Sequence, residues 1–173
     1  MIQPRDPVLR IQADPAVVSA SVQLPWGEIL PLERLPELAV WQARFFVPGD
    51  VPDGAHRCLV MLRDRAGRLF REEKSFVIDS VAPAARWLNP VAEARAGDTL
   101  ALRVDAPPDT RLLNASLEGA GRVALRWDAA AGCSLGTLKL PPGSPPGGRR
   151  LTLLAEDTAH NVYRKDYAVR ILP

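Results

Sequence analysis

Apolar and polar residues alternate along most of this chain with the period of two that a half-buried β-strand requires. In RCLVMLRD, Cys58, Val60 and Leu62 fall on one side, and Arg57, Leu59, Met61 and Arg63 fall on the other. RLTLLAED has the same phase, with Leu151, Leu153 and Ala155 directed inward. SFVID and AVRIL read as short closing strands, with Phe76 and Ile78 matching Val169 and Ile171. Helical periodicity is nearly absent; the one candidate, LERLPELAVW (32–41), is interrupted by Pro36. Seventeen prolines and twelve glycines punctuate the strands, the pattern of an all-β sandwich.

The second half of this pattern repeats the first. VPGDVPDGAHRCLVMLRDRAGRLFREEKSFVI, from Val47, aligns without a gap on LPPGSPPGGRRLTLLAEDTAHNVYRKDYAVRI, from Leu140. The offset is 93 residues (157 − 64 for Asp64 and Asp157), and identities include Pro48/Pro141, Pro52/Pro145, Gly54/Gly147, Ala66/Ala159, Arg71/Arg164 and Ile78/Ile171. Chance would supply roughly two identities over such a span. The repeat is too long for a solenoid unit and fits a small domain. Upstream, DTLALRVDA (98–106) resembles PVLRIQA (7–13), SASVQL (19–24) resembles NASLEG (114–119), and VWQARFFVP (40–48) matches CSLGTLKLP (133–141).

Between the paired strands lie RDRAGR and EDTAHN. Asp64 and Asp157 open these turns, where an aspartate can bond the backbone further along. Gly67 fits a left-handed position, which His160 or Asn161 must fill in the second copy. The boundary is expected near Asp79-Ser80-Val81-Ala82-Pro83, a short link stiffened by proline, giving domains 1–80 and 81–173. The second module has an opening segment, ARWLNPVAEARAGD (85–98), without an equivalent in the first. The fold expected is therefore two tandem sandwiches of about seven strands each, with the first a candidate to lack its first strand. An unpaired edge there is either a liability or a docking site.

Composition narrows the function classes. A net charge of +2, with 19 arginines spread along the chain and only Lys74, Lys139 and Lys165 beside them, does not suggest a nucleic-acid binder. Only folding could gather the arginines into one basic face. No apolar run approaches the roughly 20 residues that span a bilayer, and MIQPRDPVLR has no apolar signal region. Cys58 and Cys133 occupy non-equivalent positions, so an antibody-type bridge within each module is excluded. Cys58 reads as a small buried hydrophobe, and Cys133, in AAGCSLG, as partly exposed.

The repeated segments resemble bacterial Ig-like modules of the broad Ig-like and fibronectin-III-like superfamily. Members often carry P-x-x-x-P-D-G-x-Y-x-V-x-V-x-A-x-D-x-A-G-N, a closing strand and a D-x-x-A-P link. The first copy reads PGDVPDGAHRCLVMLRDRAGR and then VIDSVAP; the second reads PPGSPPGGRRLTLLAEDTAHN and ends at ILP. The usual aromatic is replaced by His56 in the first copy and Arg149 in the second, so neither has the residue for a tyrosine-corner bond. The resemblance implies the sandwich fold and says little about a ligand.

Candidate chemistry is sparse. No H-E-x-x-H, phosphate-binding loop or paired-cysteine metal motif occurs. His56 reads as a strand-start residue and His160 as a turn residue, so no catalytic residue, cofactor or metal ligand is assigned. Calcium at Asp64, Asp79 or Asp157 is the less favoured reading beside turn capping, because no D-x-D cluster brings carboxylates together. The richest partner-binding stretch is LPWGEILPLERLPELAVW (24–41), where Trp26, Ile29, Leu30, Leu32 and Leu35 are the candidates. Trp41 is expected inward beside Phe45 and Val47, and Trp87 and Trp127 are expected in ordinary sandwich packing. Together these features point to a non-enzymatic spacer and protein-interaction segment of a larger bacterial surface or envelope protein. The alternatives are an accessory module pair of a secreted enzyme, with carbohydrate as a ligand, or an intracellular assembly protein.

Overall fold

A computed structural model describes residues 7–173. The chain falls into two compact units, Met1–Ser80 and Val81–Pro173. Among the described residues there is no α-helix; a single 3-10 turn, Pro36–Leu38, stands where the proline-broken helical pattern lay.

The first unit has seven strands: β1 (Val8–Gln12), β2 (Val17–Gln23), β3 (Ile29–Pro31), β4 (Glu33–Leu35), β5 (Val40–Arg44), β6 (Gly54–Asp64) and β7 (Leu69–Ile78). They form sheets of order β1-β5-β4 and β3-β2-β6-β7. The second has nine: β8 (Arg86–Trp87), β9 (Glu93–Arg95), β10 (Thr99–Asp105), β11 (Thr110–Leu117), β12 (Gly121–Ala124), β13 (Arg126–Asp128), β14 (Cys133–Lys139), β15 (Gly147–Asp157) and β16 (Val162–Leu172). Their sheets run β13-β14-β10-β8 and β12-β11-β15-β16-β9. Seven strands thus describes the first unit, while the opening segment of the second adds β8 against β10 and β9, parallel, against β16. Among the described residues the first unit has no counterpart of these two strands; residues 1–6 lie outside the description.

The 93-residue offset governs the hydrogen-bonded register throughout. Ile11 faces Trp41 and Val104 faces Ser134. Gln23 faces Ile29 and Leu59, while Ser116 faces Arg122 and Thr152. This corrects the alignment of SASVQL with NASLEG by two residues: Ala20, Val22 and Leu24 match Leu113, Ala115 and Leu117, all six buried.

Alternation places the cores. Cys58 and Val60 on β6, and Leu151, Leu153 and Ala155 on β15, are buried as their phase predicts, with Leu62 packed partly buried beside the first core. Volume is redistributed between the copies. Trp41 is buried against Ile11, whereas its counterpart is Ser134; the buried tryptophan of the second core is Trp87, from the added strand β8, edge-on to Tyr167 with ring centroids 5.9 Å apart. Two expectations fail here. Cys133 is fully buried, because it starts strand β14 rather than lying in a turn, and Trp127 is 64% exposed on edge strand β13. Both cysteines are free thiols.

The two turns agree in atomic detail. Asp64 Oδ1 accepts the Arg68 amide at 2.9 Å, and Asp157 Oδ1 accepts the Asn161 amide at 2.9 Å. Gly67 has φ +77° and His160 φ 66°, so histidine takes the left-handed position. A second matched pair closes the β4–β5 connection, with Ala39 at φ 51° where the second unit has Gly132 at φ 62°. An alanine in that region costs about 1 kcal/mol. Ala39→Gly should therefore stabilise the chain by about 0.5 kcal/mol, part of the relief being lost to glycine's greater unfolded entropy, and Gly132→Ala should destabilise it by about 1 kcal/mol. Urea titration of both variants measures this, and equal shifts of the same sign would refute it.

Candidate functional site

Each unit turns one broad sheet face outward, and matched positions on the two faces carry different chemistry. On the first unit, cross-strand pairing sets Ile29, Gln23, Leu59 and Glu73 in one row and Pro31, Ser21, Met61 and Arg71 in the next. On the second, the same rows are Arg122, Ser116, Thr152 and Asp166, then Ala124, Asn114, Leu154 and Arg164. Phase explains the outward direction, because the intervening residues, Val22 and Val60 in one unit and Ala115 and Leu153 in the other, are buried.

The first face is apolar toward β3. Ile29 is 57% exposed, Pro31 is exposed, and Leu59 and Met61 are half-buried. It is bordered by an ion pair between Arg57 and Glu73 at 2.9 Å. The candidate residues from the sequence divide around it. Leu32 is 5% exposed and belongs to the core, and Leu30 packs partly buried against that core. Trp26 is half-buried, with its ring centroid 5.9 Å from that of Phe45 and its Nε1 donating to Glu28 at 3.0 Å. Leu35 is half-buried on the edge strand β4. Of the five, Ile29 alone presents itself on the outer sheet face, and Pro31, Leu59 and Met61 join it. Strand alternation already assigned Leu59 and Met61 outward; the strand pairing needed to set them beside Ile29 is not readable from one strand.

The second face is basic. Arg122, Arg150 and Arg164, far apart in sequence, border one trough that also includes Ser116, Thr152, Gly119 and Glu118. Asp166 is set between the arginines: Arg164 Nε lies 3.7 Å and Arg150 Nη1 3.8 Å from its carboxylate, and the Thr152 hydroxyl donates to it at 2.6 Å. That hydroxyl, outweighing partial burial and joined by the two guanidinium charges, holds the Asp166 carboxyl below the usual carboxylate range.

Several other titratable groups serve local structure. His56 Nε2 is 2.8 Å from the Pro52 carbonyl, and its ring stacks on Phe76 with centroids 5.9 Å apart. His160 Nδ1 is 2.6 Å from Glu156, which also accepts from Arg111 at 2.8 Å. The bond from His160 is the main reason that the Glu156 carboxyl sits below its usual range, against some burial, with Arg111 adding to it. Burial raises the Asp64 carboxyl, but the Arg68 side chain at 2.7 Å, the Arg68 amide and the guanidinium charge overcome this and leave it below its ordinary value. Burial pushes the Cys58 thiol up, as expected for an inert core cysteine. In the second unit Asp157 is fully buried and accepts a second bond from Asn161 Nδ2 at 2.9 Å.

No family model and no curated protein matches the chain. Among solved structures, the fibronectin(III)-like modules of Clostridium thermocellum CbhA align with 99% of this chain and 87% of their own, at 13% identity and a TM-score of 0.54. The fold is an Ig/fibronectin-III-like β-sandwich. A Ca2+-stabilized adhesin with which an Antarctic bacterium binds ice aligns over 99% of this chain and 46% of its own, at 14% identity and a TM-score of 0.46. The amphioxus IgVJ-C2 molecule aligns over 98% of each chain, at 8% identity and a TM-score of 0.38. No helix of the described residues is long and apolar enough to cross a membrane.

Proposed function

We propose that this chain is a non-enzymatic pair of Ig-like domains, 1–80 and 81–173, from a larger bacterial surface or envelope protein, serving as a semi-rigid spacer and a protein-interaction module. The observation that carries the reading is the apolar outer face of the first unit, where Ile29, Pro31, Leu59 and Met61 stand at positions that the second unit fills with Arg122, Ala124, Thr152 and Leu154. At the positions of Ile29 and Leu59 the fold does not require apolar residues, since the same register holds arginine and threonine in the second unit. Contiguous exposed apolar residues of this kind mark contact surfaces. Both histidines are bonded within their own strands and turns, which supports a role without chemistry.

The test immobilises the chain and probes a cell-envelope extract beside an Ile29→Ser/Met61→Ser variant whose circular dichroism matches the parent. The expected result is a defined protein retained by the parent and weakened about tenfold or more by the variant. Retention of the same protein by both would refute the assigned face. No protein with either would leave only the spacer role.

A further inference from the structure

The outer face of the second unit holds a site for which the first unit has no equivalent. A hollow of about 150 Å³ is lined by Asn114, Ser116, Arg122, Thr152, Leu154 and Arg164. Two guanidinium groups enter this lining and no carboxylate does. It opens along the sheet into a shallower trough of about 440 Å³, which shares Ser116, Arg122, Thr152 and Arg164 and adds Arg150 together with one carboxylate, Glu118. Arg164 and Arg150 are both 60% or more exposed and share one carboxylate, Asp166, at distances of 3.7 and 3.8 Å. Those long, solvent-screened pairs leave most guanidinium donors unused, since each arginine has five N–H groups in a fixed fork. Among the described residues Arg122 makes no ion pair.

The repeat supplies an internal control. At the matched positions the first unit has Ile29 for Arg122, Gln23 for Ser116, Leu59 for Thr152 and Ser21 for Asn114, in the same register. Only the outer arginines persist, as Arg71 for Arg164 and Arg57 for Arg150. The scaffold therefore does not dictate the Arg122–Ser116–Thr152 row.

We propose that this face binds an anionic polysaccharide, with a carboxylate or sulfate group of one sugar unit seated between Arg122 and Arg164. The sugar hydroxyls meet Ser116, Thr152 and Asn114, and Arg150 takes the next charged unit along the trough. The chemistry selects this ligand over other polyanions. Arginine forks match the planar carboxylate and the sulfate oxygens bidentately. The hydroxyls and amide between them suit a ligand dense in hydroxyls. A single-stranded nucleic acid calls for aromatic stacking platforms, and the lining has no aromatic side chain. An added peptide strand calls for a free sheet edge, and the hollow lies over β11 and β15 inside the sheet.

The experiment titrates the whole chain with a polyuronate, a heparin-type sulfated polysaccharide, a neutral glucan and a single-stranded oligonucleotide at low salt. Arg122→Ser and Arg164→Ser are measured beside Arg71→Ser, the matched position of the first unit. Binding to the polyuronate or to the sulfated chain is expected and identifies which anion is read; weakening of about tenfold by each second-unit variant, with no change for Arg71→Ser, assigns it to this face. Melting curves that match the parent show that the variants are folded. Equal binding of the neutral glucan, stronger binding of the oligonucleotide, equal loss with Arg71→Ser, or no binding at all would overturn the proposal. The two second-unit variants leave the apolar face of the first unit untouched, so their outcome is independent of it; the control position, Arg71, lies opposite Met61 on that face.

Discussion

Replacing Asp157 by alanine should destabilise the chain by about 3 kcal/mol, the value of charge-assisted bonds lost from a buried turn. Asp157 is fully exposure-free, and its two oxygens take the Asn161 amide and the Asn161 side chain, both at 2.9 Å. Alanine leaves both donors without that partner, and Asn161 itself is only 8% exposed, so water compensates poorly. The same turn must also keep His160 at φ 66°, a region that histidine does not favour by itself. Thermal unfolding followed by circular dichroism should show the midpoint falling on the order of 10 °C. Asp157→Asn, which keeps the acceptor for the Asn161 amide but sets an amide against an amide at the other oxygen, should fall between. A shift of under about 2 °C for alanine would mean that the backbone ladder alone holds the turn.

The second large effect belongs to Leu153→Ala, expected to cost about 4 kcal/mol. Leu153 is fully buried near the middle of β15, directly opposite Ala115 on β11. Ala155, two residues along on the same inward face, is also buried. With alanines already beside it, the site has little side chain that can swing into the space, so the cavity persists and its cost adds to the lost transfer energy. Urea unfolding should show a lower midpoint with an unchanged slope, the mark of altered stability rather than altered exposure on unfolding. Val60, the matched residue of β6, is also buried, and Val60→Ala removes fewer atoms and should cost less. If Val60→Ala proved the more damaging, the first core, not the second, would be the tightly packed one.

Much of this architecture can be read from residue order. Alternation in RCLVMLRD and RLTLLAED placed the core residues of β6 and β15, and the 93-residue offset is the register of both sheets in both units. The turn chemistry of Asp64 and Asp157 was legible because an aspartate followed by a left-handed residue is a local, short-range device. What escaped was non-local. Cys133 looked like turn because glycines flank it, yet pairing of Asp128 with Cys133 makes it the first residue of a strand. SASVQL and NASLEG share letters at one register and buried positions at another, and burial decides pairing because a slip moves the inward set. The stretch 24–41 offered Leu32 and Trp26 with Ile29, but Leu32 is buried in the core and Trp26 packs against Phe45, so the proposed contact surface gathers Ile29 with Leu59 and Met61 of β6. The basic face of the second unit was invisible for the same reason: Arg122, Arg150 and Arg164 come from three strands, and only cross-strand order makes them neighbours.

The shared register also bears on misfolding. Two copies with the same strand register and matching turns offer each other's strands a ready partner, and tandem modules are prone to such exchange while they fold. Their cores oppose it. Ala20 matches Leu113, Val22 matches Ala115, Cys58 matches Leu151 and Leu62 matches Ala155, so large and small residues change places from one unit to the other. An exchanged β2 or β6 could satisfy its backbone hydrogen bonds, but it would set bulk against bulk at one level and leave a void at the next. The divergence of the buried residues thus acts as a proofreading device, making each strand a poor fit for the other's sandwich.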